Sequence, residues 1–364
     1  MGTGKKRIGI VGCGKIAKHH ARTIATIDGI ELAAVADLNS ARAEEMVQEF
    51  KVPSFPSHDE MLRAVPDIDA VVISIPSGMH YEYAVNLMEK YRKSVIVEKP
   101  AFLKPSHMVH VSELAARQGV RLFPVFQNRY NRAVRRVQEA LQNNELGAIR
   151  IASVRVRWCR PQRYYDQAAW RGTFAQDGGA LTNQGVHHVD LLRYLCGEVD
   201  SVSCKMKTLG VNVEVEDTVV AAMTFKKDTV GALEVTTAAR PNDYEASISL
   251  VCENGLAQLG GVAVNRLEVF TPDPSQCALW SEDFSSNIYG NGHSEVYKAI
   301  SRSLNENAAY IVSEDDCLRS LKLLHAFYRA DEQGKWVDVD SAEESTRLGR
   351  TDEALAELYR PPKL

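Results

Sequence analysis

Between Arg7 and about Phe126, short apolar runs alternate with stretches of helical period. The runs read IGIVG, LAAVAD, AVVISIP, SVIVEKP and VRLFPVF, each bounded by turn residues. Strand, helix, strand repeated in this way predicts one doubly wound α/β domain, a parallel sheet covered by helices on both faces.

After a helical segment from Asn128 to about Gly147, the apolar period changes to two. IRIASVRVRW, EDTVVAAMTF, TVGALEVTTAA, YEASISLVCE and NRLEVF follow, some joined by turns as short as Lys227-Asp228. Such a series predicts a large, mainly antiparallel open sheet in an α+β second domain. A helical stretch from roughly Gly179 to Cys196 falls between the first two of these strands. Helices near Ser294 to Asn305 and Glu314 to Glu332 are expected to close the domain. The resulting boundaries are 1–127, 128–340 and a charged, proline-ended extension, 341–364, with one amphipathic turn at EALAEL. That extension reads as an appendage or an oligomer contact. A sheet with helices on one face leaves the other needing cover, so a homodimer or homotetramer is expected.

Composition narrows the class. With 364 residues and 45% hydrophobic content, the chain buries a large core and accommodates two domains. The 43 basic and 47 acidic residues form no long block of one sign, which excludes a nucleic-acid or polyanion scaffold and favours a small-molecule partner. Seven cysteines are scattered with neither CxxC spacing nor histidines at metal-site spacing, so no metal is expected and a reducing compartment is. The basic lead MGTGKK precedes an apolar run broken by glycine and lysine, which does not read as a signal peptide. No apolar stretch reaches membrane-spanning length. Cytoplasmic localisation follows by elimination.

Gly12-Cys13-Gly14-Lys15-Ile16-Ala17 gives GxGxxA directly after the first strand and at a helix start. Gly12 permits the tight turn, Gly14 lets backbone approach a pyrophosphate, and Ala17 lets helix and strand pack closely. This is the phosphate turn of a Rossmann domain. Asp37 ends the second apolar run at the spacing where a carboxylate accepts both adenosine ribose hydroxyls and repels a 2′-phosphate, which favours NAD. Two alternatives stay open: Asp37 as an N-cap ahead of Ser40, and Arg42 as a residue tolerating that phosphate. Pro76, Ser77 and His80 fall after a later strand, where a loop crosses the cofactor, although His80 also suits a packing role.

Glu98-Lys99-Pro100 places a lysine at the carboxyl end of a strand, where α/β sheets bind ligands. Further on, Gly178 to Asp190 reads GGALTNQGVHHVD, with Asn183 and His187 four apart, hence on one face of a helix, and Asp190 placed to orient the His187 ring. Alcohol oxidation needs a base for the hydroxyl proton and a positive group for the forming alkoxide. Lys99 and His187 supply these types, and spacing alone leaves a structural role for His187 equally open.

GxGxxA, the EKP at Glu98 to Pro100 and GGALxNxGxHxxDLL from Gly178 to Leu192 together resemble the glucose-fructose oxidoreductase, inositol dehydrogenase and rhizopine-catabolism family, from Arg7 to about Val339. The resemblance implies that Lys99 and His187 act at the reacting carbon beside the nicotinamide. Most members have aspartate where this chain has Asn183. Asn183-Gln184, Arg160 to Asp166, Trp170 to Thr173, Asn212 to Thr218 and Gly290 to His293 resemble one branch, the UDP-N-acetylglucosaminuronate 3-dehydrogenases of bacterial surface-polysaccharide synthesis, in which the asparagine is normal. That branch implies NAD-dependent oxidation of a sugar C3 hydroxyl, with Lys99, His187 and Asn183 catalytic. Glu98, Gln127, Trp170 and Arg171 join the glycine turn, Lys15, Ile16, Asp37, Pro76, Ser77 and His80 at the cofactor. Arg160, Tyr164, Tyr165 and Gln184 join the catalytic set at a UDP-sugar, with Arg160 or Arg163 holding its carboxylate or phosphate. An inositol or free-sugar dehydrogenase is the alternative activity, and a non-catalytic NAD and sugar sensor the alternative class.

Overall fold

The computed structural model describes residues 4–284 and 290–361. The chain divides into two compact units, one made of residues 1–125, 293–318 and 351–364, the other of 126–292 and 319–350. The division at 125/126 lies two residues before the expected 127/128. The assignment of later segments differs more. The helix Gly292–Glu306, expected to close the second domain, belongs from His293 onward to the first unit. Local period shows that a segment is amphipathic but not which core takes it.

The first unit holds six parallel strands, β1 (Lys6–Val11), β2 (Ile30–Ala36), β3 (Ser54–Phe55), β4 (Ala70–Ile73), β5 (Ser94–Val97) and β6 (Leu122–Pro124). Their order is β3-β2-β1-β4-β5-β6, so the direction of winding reverses between β1 and β4. Ligands of such sheets bind beyond the carboxyl ends of the strands at that reversal. Strands β4 and β5 are buried at every position, as their unbroken apolar runs require.

Two distant segments complete this unit. Tyr297, fully buried, points its hydroxyl to His20 Nδ1 at 2.7 Å, and Ser301 Oγ donates to the Asp28 carbonyl at 2.7 Å. In the tail, the Tyr83 hydroxyl donates to the Tyr359 carbonyl at 2.9 Å, and Arg360 Nε lies 2.9 Å from each carboxylate oxygen of Glu82. The residues expected as an appendage are part of the first unit from Thr351 onward.

The second unit is built on eight strands, β7 (Ile149–Arg157), β8 (Val199–Lys207), β9 (Thr218–Phe225), β10 (Val230–Thr236), β11 (Glu245–Cys252), β12 (Leu256–Gly260), β13 (Arg266–Phe270) and β14 (Val337–Asp338). Their order is β13-β12-β11-β7-β10-β9-β8-β14, antiparallel throughout except for the parallel pair β7 and β10. The expected α/β plus α+β architecture is therefore present, with β3, β8, β12 and β14 additional to the expected strands.

The expected helix from Gly179 to Cys196 is two helices, Ala180–Asn183 and Val186–Cys196. At the break Gly185 N–H returns to the Ala180 carbonyl at 2.8 Å, and a Cβ on Gly185 would lie 2.8 Å from the Leu181 carbonyl oxygen. Asn183 and His187 thus stand on separate helices, and the spacing argument that put them on one helical face does not hold.

Candidate active site

The phosphate turn follows β1. Gly12 has φ +88°, and a Cβ there would lie 2.5 Å from the Ser74 carbonyl oxygen, so the turn demands glycine. Ser74 Oγ, at the end of β4, donates to the Gly12 carbonyl at 2.8 Å and fastens the two strand ends, a role not foreseen from sequence. At Gly14 a Cβ would meet nothing within 4 Å: the chain itself does not require glycine there, whereas close approach of a pyrophosphate does. The helix Lys15–Ile24 has no side-chain N-cap, which leaves its first N–H groups for an anion. Lys15 is exposed, Ile16 half-buried and Ala17 fully buried.

Asp37 closes β2 and bonds the turn directly: Oδ2 accepts from Cys13 N–H at 2.6 Å, Oδ1 from Asn39 N–H at 2.7 Å. The N-cap reading of Asp37 fails, because the helix Ser40–Phe50 is capped by Asn39, which accepts from Arg42 N–H at 3.2 Å. A carboxylate held against the glycine turn, with lone pairs remaining on both oxygens, fits an adenosine ribose.

Pro76 and Ser77 open the short turn after β4, as expected. His80 does not offer a ring atom to a cofactor. It is buried, Nδ1 lies 3.0 Å from the Pro100 carbonyl and Nε2 3.0 Å from that of Ile75, so the ring ties two strand-end loops together.

Glu98 also faces inward. Oε1 lies 2.9 Å from His20 Nε2 and 3.6 Å from His293 Nε2, and Oε2 accepts from Lys99 N–H at 3.1 Å. Burial alone would raise its carboxyl, but the hydrogen bonds and charge of His20 and His293 hold it well below the usual range. The expected contact of Glu98 with a cofactor gives way to support of the loop carrying Lys99, itself half-buried. A ring nitrogen of His20, one of His293 and a carboxylate oxygen of Glu98 lie within 4.8 Å of one another, and the His20–Glu98 contact is a hydrogen bond within a network that also includes Tyr297.

In the second unit, His187 is buried with Nε2 3.3 Å from Gln127 Nε2, and the Phe126 ring stands edge-on at 6.4 Å. Gln127 Oε1 is buried without a hydrogen-bond partner among the described residues. Asp190, expected to orient His187, is instead engaged by Arg129 and Ser320. No pattern in the sequence announced Arg129.

Asn183 donates its amide to Asp177, which immediately precedes the segment Gly178 to Asp190 and carries no motif signal of its own. Glu216 anchors the same segment: Oε1 accepts from Leu181 N–H at 3.1 Å and from the Tyr328 hydroxyl at 2.8 Å. A Cβ on Gly179 would lie 2.0 Å from that carboxylate, which explains the second glycine. Burial raises the Glu216 carboxyl to about 7.

Around Asn183 the second unit gathers Gln184, whose Nε2 donates to the Tyr164 hydroxyl at 3.4 Å, and Arg171, whose guanidinium stacks 4.2 Å from the Tyr164 ring and 4.5 Å from that of Trp170. Arg160 lies 5.7 Å from the Tyr164 ring and pairs with Asp243 at 2.9 Å. Arg163 is exposed. Tyr165 departs from expectation: it is buried, with its hydroxyl 3.1 Å from Thr237 Oγ1, and serves packing.

Residues 6–126 match the family model described as oxidoreductase family, NAD-binding Rossmann fold, and residues 134–258 the GFO/IDH/MocA C-terminal domain. The WlbA dehydrogenase from Bordetella pertussis, solved with NADH and UDP-GlcNAcA, is 35% identical over 93% of this chain and 99% of its own, with TM-score 0.87. The Chromobacterium violaceum WlbA, in complex with the same two molecules, is 33% identical over 92% and 96%, with TM-score 0.84. Glucose-6-phosphate 3-dehydrogenase of Bacillus subtilis is 32% identical over 56% of this chain and 58% of its own length. Myo-inositol 2-dehydrogenase of Thermotoga maritima is 24% identical over 92% and 98%.

Proposed function

The chain belongs to the GFO/IDH/MocA oxidoreductase family, and from that premise we propose that it oxidises the C3 hydroxyl of UDP-N-acetylglucosaminuronate to the 3-keto sugar. Bound NAD supplies the hydride acceptor. The observation that carries this reading is the 35% identity, across nearly the whole of both chains, to a dehydrogenase solved with NADH and UDP-GlcNAcA. The reaction class, NAD-dependent dehydrogenation of a sugar or polyol, rests on the family itself. The setting we propose is surface-polysaccharide synthesis.

The remaining chemistry falls to the chain. Gly12, Gly14 and the uncapped helix start hold the pyrophosphate, and Asp37 holds the ribose. Pro76, Ser77, Gln127, Trp170 and Arg171 border the cofactor. Lys99 and His187 share two tasks, taking the hydroxyl proton and stabilising the alkoxide as hydride leaves. Asn183 and Gln184 position the reacting sugar, Arg160 pairs with its acidic groups, and Tyr164 offers a stacking face. A homodimer or homotetramer is part of the proposal, supported by Val220 and Val230, 57% and 55% exposed on adjacent strands β9 and β10; light scattering on an eluting peak tests it.

The activity is tested by incubating the protein with NAD and either UDP-N-acetylglucosaminuronate, myo-inositol or glucose, following NADH absorbance. Turnover of the nucleotide sugar is expected, and Lys99→Ala or His187→Asn is expected to abolish it. Turnover of myo-inositol alone would replace this reading with the second one, which the Thermotoga relative favours.

A further inference from the structure

Tyr297, His20 and Glu98 stand in line inside the first unit, Tyr297 and His20 fully buried and Glu98 7% exposed. The Tyr297 hydroxyl lies 2.7 Å from His20 Nδ1, His20 Nε2 lies 2.9 Å from Glu98 Oε1, and Glu98 Oε2 accepts from Lys99 N–H at 3.1 Å. His293 Nε2 faces Oε1 at 3.6 Å. Three separate stretches of sequence meet here: the helix Lys15–Ile24, the loop leaving β5, and the helix Gly292–Glu306.

One arrangement of hydrogens uses every donor of this chain. An ionised carboxylate only accepts, so His20 donates to it through Nε2 and accepts at Nδ1. Burial, with the Glu98 charge adding to it, holds the Tyr297 hydroxyl well above the usual phenol range, so it keeps its proton and donates to Nδ1. Both bonds then point toward Glu98, and bonds in series polarise one another. The ends of the chain bear on the site. His20 lies about one and a half turns into the helix that starts at the phosphate turn, and a helix carries both as one rigid element. Glu98 ends on the backbone of Lys99.

We propose that Tyr297, His20 and Glu98 are positioning residues for Lys99: the buried chain fixes the loop presenting Lys99 against the helix that begins at the phosphate turn, and so sets where a bound dinucleotide and Lys99 stand relative to each other. This rests on the functional reading above, in which Lys99 serves the reacting alcohol, and extends the machinery to residues far from it in sequence. The three side chains are engaged with one another and with the Lys99 backbone, so they act through Lys99 rather than on a ligand. Reacting groups tolerate little displacement, since a shift of about 1 Å costs on the order of a hundredfold in rate.

Glu98→Ala, Glu98→Gln, Tyr297→Phe and the last two combined test it. kcat, KM and the NAD dissociation constant are measured with whichever of the sugars and polyol named above the wild type oxidises, and urea unfolding and amide hydrogen exchange of the peptide containing Lys99 are run alongside. Glu98→Ala removes the acceptor of both bonds and is expected to lose about a hundredfold in kcat, with NAD affinity little changed and exchange at Lys99 faster. Glu98→Gln keeps an acceptor for Lys99 N–H and, with the imidazole turned to its other tautomer, a donor for His20, so it should recover most of the rate. Tyr297→Phe leaves the Glu98 bonds in place and is expected to lower kcat about threefold, the size of one hydrogen bond. In the Glu98→Gln background the same change should cost far more, because the turned imidazole then needs the hydroxyl as its acceptor. Should Glu98→Ala fail to fold, the milder variants decide. If Tyr297→Phe, alone and combined with Glu98→Gln, loses stability but keeps wild-type kcat and Lys99 exchange, the three residues serve packing alone and the proposal is overturned. A wild-type chain that binds NAD but oxidises none of the panel would overturn the functional reading, while Lys99 exchange in the same variants would still decide whether the chain holds that loop.

Discussion

Arg129 and Asp190 form a two-point ion pair inside the second unit, Nε to Oδ2 at 2.7 Å and Nη2 to Oδ1 at 2.6 Å, with both side chains 1% exposed. Ser320 Oγ adds a third bond to Oδ1 at 2.9 Å, and the Tyr194 ring lies 4.6 Å from the guanidinium. Removing one partner strands a buried charge, so Arg129→Met or Asp190→Leu is expected to cost about 3–5 kcal/mol of stability in urea unfolding. Combining the two substitutions should cost less than either alone. A double variant as unstable as the sum would show that the residues act independently.

Glu216 makes stability depend on pH. Its carboxyl is raised to about 7 in the folded chain from an ordinary 4.5, so the folded state holds this proton more tightly than the unfolded one. The contribution is full below about pH 4.5 and is lost as pH rises toward 7, by an amount on the order of 3 kcal/mol at most. Glu216→Gln keeps an acceptor for Leu181 N–H and Tyr328 and cannot ionise. Unfolding free energies from pH 5 to 8 should therefore fall less steeply in the variant than in the parent, and equal slopes would remove Glu216 from the account.

Asp37 is predicted to set the choice of dinucleotide. Asp37→Ser loses the proposed ribose bonds and the tie to Cys13 N–H, and should weaken NAD about tenfold or more. It also removes the charge that repels a 2′-phosphate, with Arg42 nearby to receive one. Fluorescence titration with both dinucleotides is the check, and an unchanged ratio of affinities would count against Asp37 as the discriminating group.

The thiols should react in two groups. Cys159 and Cys277 are half-buried, and the other five are buried. Burial, with the Asp37 charge adding to it, pushes the Cys13 thiol up to about 12, and burial raises Cys252 to about 11. A disulfide reagent at neutral pH is expected to modify Cys159 and Cys277 in the native chain and all seven after denaturation. Rapid native labelling of Cys13 would contradict the packing of the phosphate turn.

The parallel sheet was readable because strands such as Ala70–Ile73 and Ser94–Val97 are apolar at every position and end in turn residues. Strand Val199–Lys207 escaped because VDSVSCKMK carries serines, an aspartate and lysines on its outer face, and Leu256–Gly260 because it is short and ends in glycine. Lys99 is legible from its strand end and from motif, and His187 and Asn183 from motif, since the helical spacing that also pointed to that pair is broken at Gly185. Asp177 and Arg129 were not marked, because their roles consist of contacts with residues chosen by the tertiary fold. Glu98 and His80 were marked for the wrong reason: position at a strand end does not say whether a side chain turns outward or in.

The first unit takes its final pieces from residues 293–318 and 351–361. During synthesis, when domains encoded early ordinarily fold before those that follow, its sheet has all six strands once residue 124 has emerged. The partners for His20 in Tyr297, and for Tyr83 in the Tyr359 carbonyl, emerge only after most of the second unit. This unit begins before the second and is completed after it, so a ribosome stalled at residue 350 would hold a nucleotide-binding unit still without its segment from Thr351 onward.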